Sequence, residues 1–195
     1  VEQVIDQTLR RVFEGEAVPA EEKIVSLFEP HTDIIRRQKA HKPTEFGHKV
    51  WLDEVDGGIV TRWQVLDGNP SDRGEWKPSL DHHLQQFARP PDQASGDRGV
   101  YSSVNETYAR QIGVKRVILP KPGRKSDARR QYEHQPWFKR GRRFHVGVEG
   151  RISVLKRKHG LDQCLDHGQD GFEKWVGWGI IAGNLAKMGA TLAAR

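Results

Sequence analysis

The sequence predicts an α/β fold built around a parallel crossover unit. A short strand ending at Asp97 is followed by a helix over residues 105–113 and by a strand over 114–120, VKRVILP. Strand, helix and strand with short connections are typical of two parallel strands joined by a crossover helix. A hairpin pattern precedes this unit and helical patterns surround it. The 195 residues are enough for one domain with a sizeable core.

The elements before the crossover unit are predicted from apolar spacing and turn residues. Residues 1–17 carry apolar side chains three and four positions apart, which predicts an amphipathic helix ending near Gly15. KIVSLFEP at 23–30 predicts a short strand, and the polar RRQKAHKPTEFG at 36–47 predicts a loop. DGG at 56–58 lies between HKVWLDEV and IVTRWQVLD, and this pattern predicts a β-hairpin.

Helical patterns dominate the remaining segments. A helix is expected over EWKPSLDHHLQQFA, where Leu80, Leu84 and Phe87 share one face. Segment 121–135 is basic and polar, and we expect it to be mobile. A helix from about 143 to 158 should stop at Gly160, and a last helix over about 171–193, rich in Trp, Ile and Leu, should pack into the core.

The positive charge is concentrated in one band. The net charge is +6, yet the band from Lys115 to Lys158 holds 15 Lys or Arg against three acids, a local balance of +12. A polyphosphate backbone attracts such a band through counterion release and direct contacts. A solvated basic face is the equally weighted alternative.

Composition also sets the expected compartment. The single cysteine, Cys164, forms no internal disulfide, and no basic region followed by an apolar run marks a secretory signal. The longest apolar stretch, at 175–186, is broken by glycines and is too short for a bilayer. We therefore expect a cytoplasmic protein without a membrane segment.

Two acids are the candidate catalytic residues. Asp97 follows a strand, in GDRG, and Glu149 lies on the predicted helix that also carries His145 and Lys156. Two carboxylates inside a basic band suit divalent metal ions acting on a phosphodiester. Taken singly, each acid has a structural alternative that is favoured: Asp97 caps the following turn, and Glu149 forms a surface ion pair.

Four segments together resemble the catalytic part of bacterial insertion-sequence DDE transposases of the ISNCY type. They are residues 25–72, GDRGVYSSVNE at 96–106, GVKRVILPKPGRKS at 113–126, and 142–185, which begins RRFHVGVEGRISVLKRKHG. The resemblance covers nearly the whole chain from about residue 22. It implies a ribonuclease-H-like fold, a mixed sheet flanked by helices, incomplete on its N-terminal side. Residues 1–22 would then be a helical remnant of an upstream insertion, and 23–195 a partial catalytic domain.

The resemblance also implies a site and partners. It makes Asp97 and Glu149 the second and third acids of a two-metal Mg²⁺ site, and it places Lys156 on a DNA phosphate. Arg142, Arg143 and Arg157 are the other expected DNA contacts. The partners implied are transposon ends and a target duplex, with a homo-oligomer as a further candidate.

The chain departs from the family pattern at two points. Arg142 and His145 occupy places where related groups have Tyr and Arg, and Arg143 is an alternative source of that charge. The first aspartate has no match; Asp53 and Asp67 are weak replacements, and Asp72 is predicted to cap the next helix. Two functions follow: a transposase that cleaves DNA and transfers strands, or an inactive remnant that only binds DNA.

Overall fold

A computed structural model describes residues 1–36 and 43–194 of the chain. Within those residues the strands are β1 (Asp33–Arg36), β2 (Thr44–Gly47), β3 (Lys49–Val55), β4 (Ile59–Leu66), β5 (Gln93–Ser95) and β6 (Arg116–Ile118). The helices are α1 (Glu2–Thr8), α2 (Trp76–Phe87), α3 (Ser103–Gln111), α4 (Asp127–His134), α5 (Pro136–Lys158) and α6 (Gly168–Ala193). A π-helical turn, Leu9–Phe13, extends α1, so the N-terminal helix is confirmed. The predicted α/β class is confirmed as well.

The strands pair two by two. β1 and β2 are antiparallel, β3 and β4 form the predicted hairpin, and β5 and β6 are parallel, as the crossover pattern requires. The described residues therefore hold three separate two-stranded sheets rather than the single mixed sheet that the resemblance implies. β5 and β6 are only three residues long and offer few backbone hydrogen bonds to a further strand.

Two predictions near the N-terminus are wrong. KIVSLFEP is not a strand, and its Leu27 and Phe28 are exposed, so no sheet face covers them. The 36–47 segment, predicted as a loop, contributes Thr44–Gly47 as β2, and Arg36 ends β1; residues 37–42 lie outside the described residues. The polar composition of the 36–47 segment gave no signal of this pairing, in which Thr44 lies opposite Arg36.

The chain divides into two compact units. The first combines Val1–Trp51, Trp63–Pro70 and Cys164–Trp178; the second combines Leu52–Arg62, Ser71–Gln163 and Gly179–Arg195. Each unit is therefore built from separate stretches of sequence.

A chain of histidine and carboxylate contacts crosses the first unit. His167 Nδ1 lies 2.5 Å from Glu29 Oε1, and Glu29 Oε2 lies 2.6 Å from His31 Nε2. His31 Nδ1 is 2.6 Å from His48 Nε2, and His48 Nδ1 is 3.0 Å from Asp33 Oδ2. Hydrogen bonds from His167, from the backbone of residue 168 and from His31 lower the pKa of Glu29 to about 2. Glu29 therefore has three hydrogen-bond partners in this unit: His167, the backbone of residue 168 and His31.

The core of the second unit lies between β6 and α5. Ile118 and Leu119 are fully buried, as is Phe138 of α5, and Leu155 of α5 is 2% exposed. A Cβ on Gly141 would lie 2.2 Å from Ile118 Cδ1, so α5 approaches β6 more closely than any side chain at that position allows. This contact fixes the helix that carries Glu149 against β6, the parallel partner of the strand that ends just before Asp97.

Segment 121–135, expected to be mobile, is ordered around a buried acid. Ser126 caps α4, and Glu133 is 6% exposed. The Glu133 carboxylate accepts the Lys121 N–H at 2.9 Å, and it pairs with Lys125 and with Arg129. A buried carboxylate needs such partners, and supplying them orders the segment.

The last two helices differ from their predicted form. α5 begins seven residues earlier than expected, at Pro136, because proline suits the first turn of a helix. α6 buries only one face: Val176 and Ile180 are each 3% exposed, whereas Trp178 is 69% exposed. The expectation that α6 packs into the core is therefore confirmed for one face of the helix only.

Candidate functional site

Asp97 lies immediately after β5, where the parallel pairing ends. The Gly96 N–H still donates to the Ile118 carbonyl at 3.1 Å, and the chain then turns. Asp97 Oδ1 accepts the Val100 N–H at 3.0 Å, so its predicted turn-capping role is confirmed. The residue is exposed, and its other carboxylate oxygen has no hydrogen bond to the described residues. Capping therefore leaves part of the carboxylate available to a ligand.

Glu149 lies on the exposed face of α5. No ion pair joins it to any residue in the described ranges, so the alternative of a surface ion pair is wrong. Arg142 and Lys156 stand seven residues before and after it, which places all three on one face, about 10.5 Å apart along the axis. An acid is thus flanked on its own face by two cations that it does not neutralise.

His145 connects the two acids electrostatically. It precedes Glu149 by one turn and is half-buried. Burial lowers the pKa of His145, while the negative charges of Asp97 and Glu149 each act to raise it. The charges of both acids therefore act on the same imidazole, although the acids come from different segments of the chain.

Asp72 is a neighbour of Asp97 that the sequence did not reveal. A Cβ built on Gly99 would lie 3.0 Å from Asp72 Oδ2 and 3.2 Å from Asp97 Oδ1, so the two carboxylates face each other across this glycine. The predicted cap is also wrong, because Ser71, not Asp72, accepts the capping hydrogen bond from Arg73. No periodic spacing relates two loop positions on either side of α2, so sequence patterns gave no signal of this approach.

Mg²⁺ favours carboxylate oxygens, and Asp97 and Glu149 supply that donor type. Across residues 1–36 and 43–194, however, no group of three or more His, Cys, Asp or Glu is arranged to hold a metal ion. Two carboxylates, one of them already capping a turn, do not fit a complete two-metal site. The described residues therefore do not supply the full set of ligands that a two-metal site needs.

The two weak replacements for the first aspartate are placed by the structure elsewhere. Asp53 Oδ2 lies 3.3 Å from the Arg62 guanidinium, which also approaches Glu75 at 3.4 Å. Asp53 therefore takes part in a structural ion pair. Asp67 is exposed in the bend after β4.

Within the basic band, two groups of cations differ in their partners. Around α4, Lys125 and Arg129 pair with Glu133, and Arg130 pairs with Asp127. On α5, seven exposed cations have no ion pair with any residue that the structure describes: Lys139, Arg140, Arg142, Arg143, Lys156, Arg157 and Lys158. The local balance of +12 therefore overstates the charge available to a ligand, and the available part is concentrated on α5.

The aromatic residues of the band are not a stacking platform. Phe138 is completely buried, so it is not available to stack on an exposed base. Trp137 packs edge-on against Tyr132, with ring centroids 5.2 Å apart. These rings support the N-terminal end of α5.

Comparison with known protein families, with curated proteins and with solved structures finds no match to this chain.

In the described part of the chain, no helix combines the length and the apolar character needed to cross a membrane.

Proposed function

We propose that this chain is the catalytic part of an insertion-sequence DDE transposase, with a ribonuclease-H-like arrangement that is incomplete on its N-terminal side. Asp97 and Glu149 are the second and third acids of its Mg²⁺ site. Arg142, Arg143, Lys156 and Arg157 hold the phosphates of transposon ends and target duplex.

One observation carries the proposal. Asp97, at the end of β5, and Glu149, on α5, act on the same His145 ring although 52 positions separate them in sequence. The parallel β5–β6 pair and the close packing of α5 on Ile118 support this convergence. Cations without ion-pair partners flank Glu149, which suits an acid that works beside a phosphodiester.

In this proposal each group has a defined task. The exposed cations of α5 position the DNA backbone, and the two carboxylates provide oxygen ligands. Divalent ions held by Asp97 and Glu149 would supply activation of the attacking hydroxyl or water and stabilisation of the leaving oxygen. Burial lowers the pKa of His145 and so favours its neutral form, while the two carboxylates act in the opposite direction.

A second candidate is a catalytically inactive remnant that only binds DNA. It is favoured because, within residues 1–36 and 43–194, no three or more His, Cys, Asp or Glu side chains are arranged to hold a metal ion. The candidates share the DNA-binding face and differ in cleavage, so each property needs its own experiment.

The DNA-binding face is tested by a salt titration of duplex binding. Each phosphate contact contributes about 0.9 to the slope of log affinity against log salt, so replacing Arg142, Arg143 and Lys156 with Ala should lower the slope by about two to three. A triple Ala variant of the exposed Arg11, Arg89 and Lys174 is the charge-matched control and should change it less. Equal slopes in the two variants would contradict the proposed face.

Cleavage is tested by nicking of a supercoiled plasmid with Mg²⁺ or Mn²⁺. We expect no nicking by the 195-residue chain, because two carboxylates hold two ions poorly against their own hydration. A chain extended by the residues encoded upstream should nick the plasmid, and Asp97→Asn or Glu149→Gln should each abolish this activity. An extended chain that binds DNA without nicking it would favour the remnant. Nicking that survives both substitutions would refute the proposed acids.

A further inference from the structure

The exposed face of α6 has the spacing of a coiled-coil seam. Its large apolar side chains are all substantially exposed: Trp178 at 69%, Ile181 at 48%, Leu185 at 61%, Met188 at 45% and Leu192 at 69%. The steps between them are three, four, three and four residues, a heptad repeat held over two full heptads. We call these five residues the α6 stripe.

The stripe lies roughly opposite the buried face of the same helix. Val176 and Ile180 are covered, and Gly183 lies so close to the core that a Cβ there would be 2.6 Å from Leu155 Cδ2. α6 is therefore apolar on both sides. In a water-soluble fold, a helix that is apolar all round is normally covered all round.

From these observations we propose that the α6 stripe is the interface between two copies of this chain. The 3.5-residue period selects another helix as the occupant, since it brings successive apolar side chains into register with a partner helix. Two identical stripes satisfy this requirement through a two-fold axis.

Charge and area favour a second copy. Between residues 175 and 194 the sole charged residue is Lys187, which lies off the stripe and acts on Glu54 instead. No charge therefore repels a copy or selects a charged partner helix. From the exposed fractions, the stripe offers about 600 Å² per copy, given about 200 Å² for a large apolar side chain. Two copies would bury about 1,200 Å², the lower end of the range for specific interfaces, so we expect a reversible dimer.

Sedimentation between about 1 and 200 µM tests this inference. The wild-type chain should shift from monomer to dimer, and Leu185→Glu should remain monomeric over this range. Ala186→Glu is the matched control: it adds the same charge at an exposed position about 100° round the helix, and it should still dimerise. Circular dichroism must show equal helix content in both variants. A monomeric wild type, or a dimer that survives Leu185→Glu, would overturn the inference.

Cysteine cross-linking identifies the surface directly. Leu185 is the midpoint of the stripe, so a two-fold axis brings it near its own counterpart in parallel and antiparallel pairing alike. With Cys164 replaced by Ser, a Leu185→Cys chain should form a disulfide dimer under mild oxidation at least ten times faster than an Ala186→Cys chain. Equal rates would show a different interface. A mixed disulfide between Leu185→Cys and Leu9→Cys chains, without a Leu185→Cys homodimer, would show that the exposed N-terminal helix is the occupant.

Discussion

The close approach of α5 to β6 predicts the response to a single added methyl group. In an open helix, replacing glycine with alanine stabilises the helix by about 1 kcal/mol. At Gly141 the new Cβ would lie 2.2 Å from Ile118 Cδ1 and 3.0 Å from Ile118 Cγ1, and the Ile118 side chain is fully buried. Because Ile118 has no space into which to move, we expect Gly141→Ala to destabilise the fold.

The expected loss of stability is the cost of overpacking the core minus the gain in helix propensity. Overpacking a core costs about 1 to 3 kcal/mol, so the net loss for Gly141→Ala should be about 1 kcal/mol after the gain in helix propensity. Ile118→Val alone removes the clashing Cδ1 and should cost about 1 kcal/mol. In the double variant the alanine methyl group occupies the vacated space, so its stability should be close to that of the wild type. The coupling free energy is then about 2 kcal/mol.

Urea unfolding followed by circular dichroism and tryptophan fluorescence gives the four free energies of this cycle. Destabilisations that add to within about 0.5 kcal/mol would refute the contact. A Gly141→Ala variant more stable than the wild type would show that α5 does not lie against Ile118. Binding of DNA by the double variant should match the wild type, because neither substitution touches the exposed cations.

Two further predictions concern charged residues. Glu133→Gln should lower the free energy of unfolding, measured in urea, by about 3 kcal/mol, because it leaves Arg129 and Lys125 without their buried partner. Asp127→Asn, which loses an exposed ion pair on the same helix, should lower it by less than about 1 kcal/mol. The pKa of Glu29 is lowered to about 2, so its contribution to stability is present above about pH 4.5 and is lost as the pH falls towards 2. In thermal unfolding across that range, the Tm of Glu29→Gln should fall less on acidification than the Tm of the wild type or of a Glu14→Gln control. Equal decreases in Tm would contradict the stabilising role of ionised Glu29.

Sequence patterns predicted correctly those helices and strands that are determined by residues close to one another along the chain. The hairpin of β3 and β4 follows from the DGG turn, and α2, α3 and the parallel β5–β6 pair follow from apolar periodicity and from Gly113 as a stop. Segment 121–135 was misjudged because its order depends on Glu133, a single buried acid. From composition, the cations of this segment were interpreted as exposed to solvent, whereas in the folded protein several of them form ion pairs with acids.

In the candidate site, too, features set by neighbouring residues could be predicted and features set by distant residues could not. The position of Asp97 at a strand end and of Glu149 on a helix face could be predicted, since each depends on its own neighbours along the chain. The approach of Asp72 to Asp97 across Gly99 could not, because it depends on how the loop before α2 folds back towards the loop after β5. The exposed stripe of α6 was interpreted as core for a related reason: a content of Trp, Ile and Leu shows that a helix needs to be covered, but it does not identify what covers each face.

Each of the two units combines segments that are far apart in the sequence, so neither unit can fold completely until its last segment has been synthesised. Glu29 contacts His167, 138 positions later, and the Val60 backbone bonds to the Asn184 side chain, 124 positions later. A nascent chain that has emerged only as far as residue 160 lacks a segment of each unit. Its partly formed units would leave apolar surface open to chaperones and proteases. Neither unit is therefore complete until its segment beyond residue 163 has emerged from the ribosome.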